Sequence, residues 1–127
     1  MNLEKVIFAF FIVFALTLNF GFFIGDMEDP NHHHIYELFA AIIISLIATI
    51  MKLGDRSHLG AVLLATSLVA DLHLIAAALV WGYGTHISDA GVSASVMSTI
   101  VSLSGGALLA NITSVILFVA ETIVVRR

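Results

Sequence analysis

The chain has 127 residues, of which 60% are hydrophobic and only 11% charged, where a soluble domain of this size carries roughly a quarter charged residues. That deficit excludes an ordinary water-soluble fold. The lack of any basic run excludes nucleic acid as a partner, and the absence of cysteine excludes disulfides and thiolate metal sites.

The apolar residues fall in long runs between short charged clusters, the pattern of segments that sit in hydrocarbon. A helix needs roughly 20 apolar residues to cross about 30 Å of bilayer core. The first such run covers about residues 3–25. Its length, and the lack of a small-residue cleavage site, predict a retained span rather than a secretion signal. It carries Phe8, Phe10, Phe11, Phe14, Phe20, Phe22 and Phe23 all around the helix, which suits a peripheral position facing lipid.

A cluster of polar residues follows: Asp26, Glu28, Asp29, His32, His33, His34 and Glu37. The bland reading is a hydrated, acidic mouth. The sharper readings are attraction of cations by its charge, or a divalent site. Consecutive histidines fan around an axis, so only His33 and Glu37, four apart, would share a face of a helix starting at Pro30.

The second span, about residues 30–52, is expected to start at Asp29-Pro30, with Asp as cap and Pro at the first helical position. The third covers about 59–83 and closes on Trp81 and Tyr83, which suit the membrane interface. At its centre lie Asp71 and His73. A carboxylate at that depth costs about 2.5–3.5 kcal/mol on insertion scales, so such residues face protein or water and are often functional. Two apart, they point about 200° away from each other and cannot hold one ion together. Ser67 shares the face of Asp71, and Thr66 that of His73.

The last apolar segment, about 96–122 as a span, is too long for one crossing if it begins at Gly91. It is either one long tilted helix or a re-entrant stretch that turns at Gly105-Gly106. An ion filter presents backbone carbonyls from such a turn, but the Thr-Val-Gly-Tyr-Gly spelling of potassium filters is absent. Ser95, Ser98, Ser102 and Gly106 form one small-residue stripe, and Ser104, Ala107, Asn111 and Ser114 another. Tight helix packing explains such stripes. Packing on one face and water on the other explains both together. Asn111 is expected at the depth of Asp71, as the partner of Asp71 or of His73. The Asn111-Ile112-Thr113 glycosylation pattern is buried in the span and carries no weight.

Lys5, Lys52, Arg56, Arg126 and Arg127 alternate with the spans, which predicts both termini in the cytoplasm. The expectation is one all-α transmembrane domain over residues 1–127, with four helices, multi-pass in the cell membrane (the inner membrane in a Gram-negative cell). No nucleophile-base motif, nucleotide loop or cofactor signature stands out. The functional expectation is a homo-oligomeric cation channel or proton-linked pathway in the lipid bilayer, with cations as cargo. Its candidate path residues are Asp71, His73, Asn111, Ser98, Ser102, Gly105 and Gly106, and its outer mouth is Asp26, Glu28, Asp29, His33 and Glu37. The alternative is a structural or accessory subunit whose polar residues clasp a larger membrane complex.

Overall fold

The computed structural model describes residues 3–125. Four helices account for nearly all of them: α1 (Leu3–Phe23), α2 (Ile35–Lys52), α3 (His58–His86) and α4 (Ala94–Val125). No strand occurs among the described residues. Each helix is long and apolar enough to cross a membrane, which fits a multi-pass membrane protein. Arg126 and Arg127 lie outside the described residues.

The connections are short because each helix is stopped by local chemistry. Gly25 adopts φ 113° just past the end of α1, a left-handed conformation that a side chain would strain. A single 3-10 turn, Pro30–His32, follows. Asp29 caps it by accepting from the Asn31 N–H. The chain then extends through His33 and His34 before α2 begins at Ile35. The expected start of the second helix at Pro30 is therefore five residues early. Asp29 and Pro30 do cap and open a helical turn there, but it ends after three residues. As a result His33 precedes α2, and it does not share a helix face with Glu37.

Gly54, at φ 88°, ends the turn after α2. Ser57 then caps α3 by accepting from the Gly60 N–H at 2.9 Å. Ser93 holds the start of α4 through its hydroxyl and the Val96 N–H. From Ala94 to Val125, α4 runs without a break, straight through Gly105-Gly106. The long-helix expectation describes it, and the re-entrant turn does not form.

The helices pack in a ring, each antiparallel to the next, with α1 also against α4. The interior is built from small and medium side chains: Ala41, Ala70, Leu74, Ala77, Met97, Ile100, Val101 and Ala107 are fully enclosed. Their small size lets the backbones approach closely, which is what holds apolar helices together in lipid. On α1, Phe8, Ile12, Ala15, Asn19 and Phe22 face inward at helical spacing, while Phe10, Phe14 and Phe20 face out.

Candidate functional site

Alternating direction sorts the charges. The starts of α1 and α3 and the ends of α2 and α4 share one end of the bundle, which holds Lys5, Lys52 and Arg56. There Lys5 lies 3.8 Å from Glu121, and Lys52 sits over the Phe8 ring at 4.2 Å. The other end carries Asp26, Glu28, Asp29, Glu37 and Asp89 and, among the described residues, no Lys or Arg.

Asp71 lies midway along α3, on the face turned to α2, and is only 5% exposed. The Ser45 hydroxyl donates to its Oδ1 at 2.6 Å, and Thr49 Oγ1 lies 2.6 Å from its Oδ2. Ser45 and Thr49 stand four apart on α2, so one face presents both hydroxyls. Ser67, one turn before Asp71, is also buried. Among the described residues the ion pairs lie at the bundle ends, and none involves Asp71. Its charge, when present, is met only by hydroxyl dipoles.

Thr49 gives this cluster a second property. Its Oγ1 lies 2.9 Å from the Ser45 carbonyl as well, and a hydroxyl has one proton to give. If that proton goes to Asp71, the carboxylate accepts two hydrogen bonds. If it goes to Ser45, a protonated Asp71 donates to Thr49 instead. Both forms are satisfied, and the gain of one proton by Asp71 is accommodated by the rotation of one O–H.

Asn111 is not the partner of Asp71, nor of His73. It is buried on α4 and meets Asn19 of α1. With the Asn19 amide turned to satisfy its neighbours, it accepts from Asn111 Nδ2 at 3.0 Å and from the Leu108 N–H at 2.9 Å, and donates to the Ser104 carbonyl at 3.0 Å. The expected equality of depth does hold. Thr66 meets Ser114 at 2.5 Å and the His73 ring lies over Gly106, so Asp71, between them on α3, is level with the stretch of α4 that contains Asn111. The reason for the different pairing is rotational: Asp71 faces α2, while Asn111 faces α1.

His73 points to the seam with α4 on the far side of α3. Its Nδ1 bonds the Val69 carbonyl at 2.9 Å. A Cβ on Gly106 would stand 2.5 Å from His73 Cδ2 and 2.8 Å from Nε2, so the imidazole needs glycine there. Gly105 serves Phe23 of α1 in the same manner, at 3.0 Å. The glycine pair thus receives side chains instead of presenting carbonyls.

The two stripes of α4 separate cleanly. Ser104, Ala107, Asn111 and Ser114 are buried in the bundle. Ser95, Thr99, Ser102 and Thr113 are exposed, and Ser98 is half-buried. Beside Gly106, an open groove of about 510 Å³ runs between α3 and α4, walled by Ala61, Ala65, Val69 and Ala110 among others.

At the acidic end, Asp26, Glu28 and Asp29 lie in the exposed turn, while His33 is buried. Glu37 packs its carboxylate on Gly21 of α1. Three histidines in sequence diverge in space, and among the described residues no three His, Asp or Glu side chains converge as a metal site.

Sequence reasoning missed Ser45, Thr49 and Asn19. Each had a signal: two hydroxyls at four-residue spacing in one span, and a lone amide in a Phe-rich one. A comparison with curated proteins gives no match, and a comparison with solved structures gives none. Residues 32–122, which take in α2, α3, most of α4 and the Asp71 cluster but not α1, match the model of a family of unknown function (DUF6394), and the chain belongs to that family.

Proposed function

We propose that this chain is a small, self-associating membrane protein that passes protons or small cations, with Asp71 as the binding site. The observation that supports this reading is a buried carboxylate without a cationic partner among the described residues, held by Ser45 and Thr49 in an apolar bundle. An ionised group at such depth is costly. A packing role alone is served equally by an amide, as Asn19 and Asn111 show. The cluster offers a carboxylate and two hydroxyl oxygens, hard donors suited to a proton or a small dehydrated cation.

In this reading the end bearing Lys5, Lys52 and Arg56 is cytoplasmic, by the preference of positive residues for that side. The opposite, acidic end draws cations to the mouth. The outward hydroxyls of α4, at Ser95, Thr99 and Ser102, form the face on which copies meet, because hydroxyls facing lipid gain from bonding across helices. Ser98, Gly105 and Gly106 flank that face. His73 and Asn111 then position helices around the site.

A second reading has a specific observation behind it. Asp71, Thr66 with Ser114, and Asn19 with Asn111 each find their polar partners within the chain, as expected of clasps that fix register in an accessory subunit. The two readings part in liposomes holding only the purified protein, with proton, Na⁺, K⁺ and Ca²⁺ gradients applied separately. Selective flux that Asp71→Asn abolishes or shifts in pH dependence, with the oligomer intact, is the expected result. No flux from a folded oligomer across several pH values and voltages would replace this reading with the accessory subunit.

A further inference from the structure

The turn between α1 and α2 gives two neighbouring histidines different hydrogen-bond partners. His33 is 2% exposed, and both its ring nitrogens face backbone carbonyls. Nδ1 lies 2.5 Å from the Phe22 oxygen, and Nε2 lies 2.8 Å from the Asp26 oxygen. A carbonyl only accepts, and a neutral imidazole has one N–H. Both contacts are hydrogen bonds only if the ring carries two protons.

His32 requires the reverse. Its Nδ1 accepts from the Asp26 N–H at 2.9 Å, which needs a lone pair on that nitrogen. Its Nε2 faces Asp29 Oδ2 at 3.4 Å, which places its single proton there. A second proton on His32 would remove the contact with Asp26. In a continued helix the Asp26 N–H would bond the Phe22 carbonyl. Here His32 takes that donor and His33 takes that acceptor, so the two rings together replace the last helical bond of α1.

We propose that this pair is a proton-selective latch on the α1–α2 turn: closed when His33 is an imidazolium and His32 is neutral, open when either condition fails. The titratable groups near His33 along the chain are Asp26, Glu28 and Asp29 in the turn itself, His32 and His34 on either side of it, and Glu37 on α2; Asp26 meets the His33 ring through its backbone oxygen. From α3 and α4 the apolar cluster that contains Phe22 takes in Ala77, Trp81, Met97 and Val101, and Trp81 meets the Phe22 ring itself. The Phe22 ring lies 5.6 Å from the His33 ring and 6.1 Å from Trp81, so the latch bears directly on the packing of α1 against α3.

The sign follows from the proton count. Raising the pH strips His33, and one carbonyl then faces a lone pair. Lowering the pH charges His32 and removes the acceptor of the Asp26 N–H. Protection of the turn is therefore highest in an intermediate window and falls on both sides.

The test is independent of transport. Full-length protein in nanodiscs is labelled at histidine ring nitrogens, and amide exchange at Asp26 is followed from about pH 5 to 9. The expected result is two protonated nitrogens on His33 and one on His32 in the protected window, with protection of the Asp26 amide falling about tenfold on either side. His33→Gln should remove the alkaline limb and leave the acid limb. His32→Asn, which keeps an acceptor for Asp26, should remove the acid limb. A His33 ring with one bare nitrogen while the turn stays protected would overturn the proposal, as would protection that is flat with pH in the wild type. The ring measurement needs no variant, so a misfolded substitution leaves it decisive.

Discussion

The bundle is crossed at similar depth by two polar contacts that differ in charge. Between α1 and α4, Asn19 and Asn111 pair as amides and also bond the Ser104 carbonyl and Leu108 N–H. Between α2 and α3, Asp71 is met by Ser45 and Thr49. Both contacts satisfy their polar atoms, so both resist sliding of one helix along the other. Only the second contains a group that can gain or lose a proton, and among the described residues no cation pairs with it. The amide pair is what a register clasp requires. The carboxylate exceeds that requirement, and the excess is what the functional proposal rests on.

The comparison is broken most sharply by exchanging the roles. Asp71→Asn keeps a hydrogen-bonding side chain of the same size. Its expected effect is loss of flux, tenfold or more, with the oligomer unchanged on size-exclusion chromatography. Asn111→Ala should do the opposite. It removes one partner of a buried bond, costing about 1–3 kcal/mol, seen as a lower unfolding midpoint in detergent. Transport per folded protein should be kept. If Asn111→Ala stops flux in a stable protein, the amide pair belongs to the path and the contrast collapses.

An effect of similar size on stability is expected at the seam of α3 with α4. Gly106→Ala forces a methyl into the His73 ring, and overpacking of this kind costs roughly 1–3 kcal/mol when the neighbour yields only in part. Gly82, with open space around its would-be Cβ, is the control. Gly82→Ala should leave the unfolding midpoint unchanged or raise it slightly.

The smallest effect lies in the turn before α3. Backbone and side-chain hydrogen bonds from Ser57, aided by Lys52, hold the Asp55 carboxyl below the usual carboxylate range. Its contribution is therefore present above that range and is lost as pH falls through the lowered value. Because the group is exposed, the gain is slight. Asp55→Asn should lower the midpoint marginally at neutral pH and not at all in strong acid.

Much of this was legible in the residues. Apolar runs set by hydrocarbon thickness mark four helices, and a polar residue in the middle of such a run stands out against its surroundings, as Asp71 does. The pairing was not legible, because it depends on how each helix is rotated. A helix face is periodic in sequence, but which neighbour it meets is set by the whole ring of packing. Asn111 and Asp71 share a depth and still face different partners. Gly105-Gly106 misled for a related reason: glycine permits a turn and also permits close contact, and only Phe23 and His73 show which use is made of it. The start of α2 was misplaced because Asp29-Pro30 is a genuine helical start, and the 3-10 turn that it opens is too short to be seen in a pattern of apolar residues.

The helices also differ in reach. At 1.5 Å per residue α2 covers about 27 Å, while its neighbour α3 covers about 43 Å and α4 about 48 Å. Side by side, these lengths cannot all match one flat bilayer with a core of about 30 Å. The ends of the long helices project beyond the core, the long helices lean, or the lipid next to α2 is drawn thin, and the last two adjustments carry a modest elastic cost that varies with the membrane. Acyl chains shorter than average relieve that cost at α2, and longer chains add to it, so membrane thickness acts on this protein as a mechanical load.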